Sequence, residues 1–265
     1  MPEGHTIHRL ARRHKKLFGG RRVRATSPQG RFVDGAARID GRRLLGTDAW
    51  GKHLLHRYEG ELLVHVHLGL YGRFDEAVAP LPAPVGQVRL RIEGDEHGVD
   101  LRGPTACEIF TPADVDDLVA RLGADPLRRD SDPEAAAARV RGSRRAVGAL
   151  LMDQKVIAGV GNVYRAEVLF RAGVHPFRPG TSIVRDEWDD IWADLVDLMA
   201  VGVRRGRIVT VRADDDHGAP SYRPGRPRTY VYRRRGEPCR ICGTSVVMAD
   251  LDARKVYWCP VCQPE

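Results

Sequence analysis

No run of the 265-residue chain approaches 18 uninterrupted apolar residues, which excludes a transmembrane helix. The opening stretch MPEGHTIHRLARRHKK lacks the apolar core of a secretory signal. The expectation is a chain in the reducing cytoplasm with no membrane partner. No internal repeat is visible. Lysine is scarce, 5 residues against 38 arginines. Arginine suits planar, bidentate phosphate contacts, although a GC-rich genome gives the same bias. Acid is scarce at the N-terminal end: residues 1–31 hold nine Lys or Arg and a single acid, Glu3.

The charge that is present is sorted. Residues 201–235 hold ten Arg against three Asp, whereas 186–197 hold six acids and no Lys or Arg. A net charge of +8 distributed in this way points to a polyanion such as nucleic acid. At 42% apolar and 29% charged residues the composition is that of a folded chain rather than a disordered one. The length allows one or two domains and a core that needs no disulfide staples.

Four of the five cysteines, Cys239, Cys242, Cys259 and Cys262, lie in the last 27 residues as two Cys-x2-Cys pairs sixteen residues apart. That spacing suits four thiolates arranged tetrahedrally around one structural zinc ion. Disulfides are disfavoured in a cytosolic chain, and a redox pair would not need the second motif. VVMAD and KVYWC read as the strands of a hairpin between the pairs. Cys107 reads as a small apolar filler.

Apolar spacing over residues 6–18 predicts a helix with Thr6 as its N-cap. HLLHRY and ELLVHVHL, joined at Glu59-Gly60, predict a strand hairpin, and QVRLRIEG and HGVDLRG predict further strands. The pattern changes near residue 112. Thr111-Pro112 and Ser131-Asp132-Pro133-Glu134 read as helix starts. ALLMDQKVI reads as apolar-periodic up to the break Gly159-Val160-Gly161-Asn162. VYRAEVLFRA and DEWDDIWADLVDLMAVGV read as helices, and 206–228 as a long loop. Alone, GVGN is a turn that lets bare backbone N–H groups and a helix N-terminus approach a phosphate.

Removal of Met1 ahead of a small residue would expose Pro2 as a secondary amine. An α-amino group titrates near 8, so free base is available to attack an electrophilic sugar carbon and form an iminium. Glu3 beside it can move protons. A proline at position 2 is also commonly idle.

MPEG, GKHLL at 51–55, HLGLYGRF at 67–74, LGADPL at 122–127, MDQKVIAGVGNVYRAEVLFRAGVHPFRP at 152–179 and GEPCRICG…YWCPVCQ at 236–263 occur in order. Together they resemble the formamidopyrimidine-DNA glycosylase/endonuclease VIII family of DNA-repair enzymes over essentially the whole chain. The resemblance implies an α+β fold: an N-terminal β-sandwich with a leading helix (1–125), a helix–two-turn–helix domain (126–228) and a C-terminal β-hairpin zinc finger (229–265), with DNA in the cleft between the domains. It implies that Pro2 attacks C1′, that Glu3 donates the proton that opens the sugar, and that a strand-borne Lys52 contacts phosphate. It further implies that His67, Asn162 and the finger-tip Arg254 hold the DNA backbone, and that Leu70 and Tyr71 fill the gap left by a flipped nucleotide. The alternative for Leu70 and Tyr71 is an ordinary apolar turn packed on the sandwich.

Leu70-Tyr71 resembles the wedge of the endonuclease VIII branch. The stretch Asp100–Thr105 lacks the Phe of the 8-oxoguanine-preferring branch. Oxidised pyrimidines in duplex DNA are therefore the expected substrate, handled by a monomer with glycosylase and AP lyase activity. Gly69 departs from the polar wedge residue usual in the branch, and His5-Thr6 replaces a usual Pro-Glu. The competing readings are a catalytically inactive lesion-binding zinc protein and a generic RNA- or ribosome-binding zinc protein. Neither needs an N-terminal Pro-Glu.

Overall fold

A computed structural model describes residues 2–216 and 228–265, so Met1 and the segment 217–227 of the expected 206–228 loop lie outside the described residues. The chain divides into two compact units, Met1–Arg121 and Leu122–Glu265.

The first unit opens with α1 (Gly4–Phe18), then β1 (Arg24–Thr26), α2 (Val33–Ile39), β2 (Leu44–Trp50), β3 (His53–Tyr58), β4 (Leu62–His67), β5 (Arg73–Val78), β6 (Val88–Glu93), β7 (His97–Arg102), β8 (Ala106–Phe110) and α3 (Pro112–Arg121). The strands form two four-stranded sheets, β1-β6-β7-β5 and β2-β3-β4-β8, antiparallel throughout. One apolar cluster takes Leu54, Tyr58, Val64 and Val66 from one sheet and Leu90, Ile92, Val99 and Leu101 from the other. This is the expected sandwich, with period-two alternation feeding a shared core. Ile7, Ala11, Leu17 and Phe18 of α1 enter the same core.

Two local expectations are corrected. Thr6 is not the N-cap of α1: Glu3, in extended conformation, holds that position, and the Thr6 N–H donates to the Glu3 carbonyl at 2.9 Å inside the first turn. The short α2 lies within a stretch that reads as strands only; seven residues are too few to display helical periodicity clearly.

The second unit holds α4 (Pro133–Arg141), α5 (Val147–Leu150), α6 (Asn162–Arg171), α7 (Arg185–Arg205) and the hairpin β9 (Val247–Leu251) and β10 (Arg254–Trp258). Asp132 caps α4 by accepting from the Ala135 N–H at 3.0 Å, as the Ser-Asp-Pro-Glu motif predicts. ALLMDQKVI is helical only at its start. Beyond Leu150 the chain continues in backbone turns, the Met152, Asp153 and Val156 N–H groups donating to the Ala149, Leu150 and Asp153 carbonyls. Side chains add to them: Asp153 accepts from the Lys155 N–H, and Gln154 bonds both the Gly159 N–H and the Val160 carbonyl. The core gathers around α6 and α7, with Tyr164, Leu169, Trp188, Ile191 and Leu195, and extends to Val246, Cys239 and Cys259 of the finger. Among the described residues no helix is long and apolar enough to cross a membrane.

Candidate functional site

Pro2, Glu3, Lys52, His67, Leu70 and Tyr71 lie in the first unit, and Asn162, Arg254 and the four finger cysteines in the second. At the start of the first unit Pro2 is half-buried and Glu3 fully buried. Glu3 occupies the N-cap of α1 in extended conformation. His5, the second residue of α1, is pushed down to about 4 by burial, so it is neutral at physiological pH.

Lys52 is not on a strand. Trp50 pairs with His53, which leaves Gly51 and Lys52 as the two-residue tip of the β2–β3 hairpin. Gly51 has φ of 56°, a left-handed conformation that glycine adopts without penalty. His53 pairs in turn with His67 at the end of β4, so the Lys52 and His67 positions are brought to the same end of the sheet. His67 is held below its ordinary value by burial first, then by the neighbouring His65 and Lys52.

Leu70 and Tyr71 form the turn after β4 and are 44% and 82% exposed. They are therefore not packed on the sandwich, and a large exposed apolar pair marks a contact surface. The Gly69 departure has a steric cause: φ is +65° there, and a Cβ would lie 1.9 Å from the Thr105 hydroxyl oxygen.

In the second unit Asn162 begins α6 and is buried, and its side-chain amide donates to the Lys255 carbonyl at 3.0 Å. One of the two amide N–H donors of Asn162 thus ties the start of α6 to the finger strand. Arg254, exposed, follows the left-handed pair Asp252-Ala253 at the hairpin tip.

Two buried charged residues were not singled out by sequence reasoning. Arg165 is fully buried and donates to the Asn162 side-chain oxygen, the Lys255 carbonyl and the Gly148 carbonyl. Glu167, also fully buried, accepts from Thr210 Oγ1 and from the backbone N–H groups of Tyr230, Val231 and Tyr232 at 2.5–2.9 Å. Burial nonetheless lifts its carboxyl above the ordinary range. The available signal was their place inside the apolar run NVYRAEVLF, where a charge must find partners.

The sulfur atoms of Cys239, Cys242, Cys259 and Cys262 all lie within 4.8 Å of one another. Cys239 and Cys262 are 3.8 Å apart and Cys242 and Cys259 3.5 Å. Tetrahedral zinc with bonds of about 2.3 Å requires sulfur separations of about 3.8 Å, so the donor set and spacing fit that ion. The N–H groups of Ile241 and Cys262 point at Cys239 and Cys259 sulfur, and thiolate charge is stabilised by such donors. Gln263 locks the second knuckle to the helical body, accepting from the Cys259 N–H and donating to the Val174 carbonyl. Cys107, by contrast, is a buried thiol pushed up to about 12 by desolvation, an inert filler.

Three family matches tile the chain: the formamidopyrimidine-DNA glycosylase N-terminal domain over residues 1–107, the formamidopyrimidine-DNA glycosylase H2TH domain over 122–213, and a zinc finger found in formamidopyrimidine-DNA glycosylase and isoleucyl-tRNA synthetase over 236–264. The chain is 60% identical to endonuclease 8 1 of Mycobacterium tuberculosis, covering 99% of this chain and 100% of that one. It is 33% identical to formamidopyrimidine-DNA glycosylase of Thermus thermophilus, covering 100% and 99%. The crystal structure of the Thermus thermophilus protein superposes with a TM-score of 0.77 at 30% identity, covering 100% of this chain and 99% of that one. The Lactococcus lactis glycosylase in complex with abasic-site DNA superposes with a TM-score of 0.81 at 19% identity, covering 99% and 100%.

Proposed function

The chain belongs to the formamidopyrimidine-DNA glycosylase/endonuclease VIII family, and on that premise we propose that its chemistry runs through the secondary amine of Pro2. It is a DNA glycosylase with AP lyase activity and carries a four-cysteine zinc finger. The observation that supports the chemistry is the fully buried Glu3 next to Pro2 at the start of α1.

Once Met1 is removed, the Pro2 nitrogen attacks C1′ of the damaged nucleoside. The bond to the base breaks, and the base leaves with the glycosidic electron pair and takes up a proton. Glu3 protonates the ring oxygen, so the sugar opens and a Pro2 iminium remains at C1′. A secondary amine can form only a charged iminium, which acidifies the 2′ hydrogen. Loss of that proton expels the 3′ phosphate, so the strand is cut by β-elimination or, where a second elimination also expels the 5′ phosphate, by β,δ-elimination with a one-nucleotide gap. Lys52 and His67 hold the backbone in the first unit, and α6 and Arg254 hold it in the second. Leu70 and Tyr71 enter the stack vacated by the flipped nucleotide.

Finer assignments belong to the same reading. The substrates are oxidised pyrimidines in duplex DNA, supported by the exposed Leu70-Tyr71 pair and the absence of Phe from Asp100–Thr105. One zinc ion, bound by Cys239, Cys242, Cys259 and Cys262, shapes the finger and takes no part in the chemistry. The protein acts as a cytoplasmic monomer.

The test is borohydride trapping on a duplex with a single 5-hydroxyuracil, followed by mass mapping of the cross-linked peptide. The expected product is a cross-link on Pro2 with Met1 absent. DNA binding without trapping across a panel of oxidised purines and pyrimidines would instead establish the lesion-binding alternative.

A further inference from the structure

Three histidines share the face of the β2-β3-β4-β8 sheet that points away from the sandwich core. His53 lies opposite His67, and His65 lies opposite Glu108, while the intervening Leu54, Val64 and Val66 enter the core. The His65 Nδ1 is 3.0 Å from Glu108 Oε1, and the His65 Nε2 is 2.9 Å from the His53 Nδ1. The His53 and His67 rings are 4.9 Å apart, and Phe110 stacks on the outer face of His65 at 4.3 Å. The mechanism above uses none of His53, His65 or Glu108.

The hydrogen bonds determine where the protons sit. A carboxylate can only accept, so His65 carries its proton on Nδ1. In a neutral ring its Nε2 is then an acceptor, so His53 must carry its proton on Nδ1. His53 Nε2 is left with a lone pair. A proton added there makes His53 an imidazolium without breaking either hydrogen bond, and Glu108, 53% exposed, supplies the counter-charge at the far end. The chain Glu108–His65–His53 is thus built to accept one positive charge.

The groups facing it are Lys52 at the hairpin tip, His67 and His65 on β4, Glu108 on β8 and Arg121 at the end of α3. Burial comes first, followed by these cations, in holding His53 down at about 3; burial also lowers His65 and His67. In the free protein the rings are neutral. An anion placed beside Lys52 and His67 reverses the balance that keeps them so.

We propose that His53 is a further backbone-binding residue, and that docking of a DNA phosphate beside Lys52 and His67 draws one proton onto the Glu108–His65–His53 chain. This rests on the assignment of Lys52 and His67 to the DNA-binding surface. The device supplies positive charge where phosphate arrives and withholds it when the surface is empty, which spares the free protein repulsion among Lys52, Arg121 and three imidazoles.

The experiment is calorimetric titration of the zinc-loaded full-length protein with a duplex carrying an uncleavable abasic analogue. Two buffers of different ionisation enthalpy are used, from pH 5 to 6.5, because a nearby opposite charge lifts a titration by about 1–3 pH units and His53 starts from about 3. Proton uptake of up to about one per complex is expected, with affinity falling about tenfold over that range. His65→Gln and Glu108→Gln are expected to lose most of the uptake and to flatten the dependence to less than about twofold; Glu108→Gln alters a half-exposed side chain and leaves the core untouched. Zero uptake in the unmodified protein, or full uptake in His65→Gln, overturns the proposal. Lys52→Ala and His67→Ala separate the two readings. If both bind DNA normally, the surface assignment itself fails; if both bind weakly while the unmodified protein takes up no proton, only the proton-linked role of His53 fails.

Discussion

Asn162 and Lys255 stand 93 residues apart in the chain, and the Asn162 amide donates to the Lys255 carbonyl at 3.0 Å. The first residue of α6 is thereby tied to the finger strand next to Arg254, and the buried Arg165 guanidinium reinforces the joint through the same carbonyl. Helix N-terminus and finger tip, both expected at phosphates, form one assembly within the second unit.

Asn162→Ala should therefore act on the finger as well as on DNA. Loss of a buried side-chain bond costs about 1–3 kcal/mol, and duplex affinity should fall about tenfold or more. Denaturant unfolding together with DNA titration checks both, and normal stability with normal affinity would refute the joint. Arg165→Met, which removes a buried guanidinium but keeps bulk, should unseat the hairpin and accelerate amide exchange at Val256.

Glu3→Gln keeps the buried shape and removes the proton donor. Excision from a base lesion should drop by about two orders of magnitude or more. Strand cleavage at a preformed abasic site, whose ring opens without enzyme, should fall far less. Equal losses on the two substrates in single-turnover assays would remove Glu3 from the ring-opening step.

Arg254→Ala should weaken binding and reduce the salt slope by about one unit of log affinity per log salt. An unchanged slope would mean that Arg254 does not neutralise a phosphate.

Chelation of zinc leaves four thiols packed within 4.8 Å of one another and partly buried. The hairpin should disorder and activity on duplex DNA should vanish, with both restored by added zinc. Full activity in metal-free protein would contradict the structural role.

Acid stability tests the first unit. His14 and His56 share a buried hydrogen bond at 3.0 Å. Burial holds His14 down at about 3 and His56 well below its ordinary value. Both are neutral in the folded state but titrate near 6.5 when unfolded. The unfolded chain therefore binds more protons below that pH. Stability is complete above about 6.5 and is lost as pH falls toward 3, by about 1.4 kcal/mol per pH unit for each ring. His56→Phe should flatten the dependence between pH 6.5 and 5. A denaturant midpoint with the same pH slope in that variant would exclude the pair as the cause.

Local chemistry was legible in the sequence because it depends on spacing. The two Cys-x2-Cys pairs, the Asp132 cap and the alternation of β3, β4, β6 and β7 each follow from neighbours a few residues apart. The role expected of Pro2 and Glu3 rests instead on the order of motifs along the whole chain. Other features depend on residues that only the folded chain brings together. Lys52 reads as a strand residue, but pairing of Trp50 with His53 leaves it at a hairpin tip. Asn162 reads as a phosphate ligand; that its amide also donates to a carbonyl 93 residues away was not legible. His53 and His65 have no role legible in the sequence until antiparallel register sets His53 against His67 and carries Glu108 to His65. Buried Arg165 and Glu167 required the same information. A charge is stable inside a core only where its partners converge, and the partners of Glu167 lie 43–65 residues away. Sequence spacing determined which groups the protein possesses; tertiary packing decided which of them are neutral, which are buried, and which face one another.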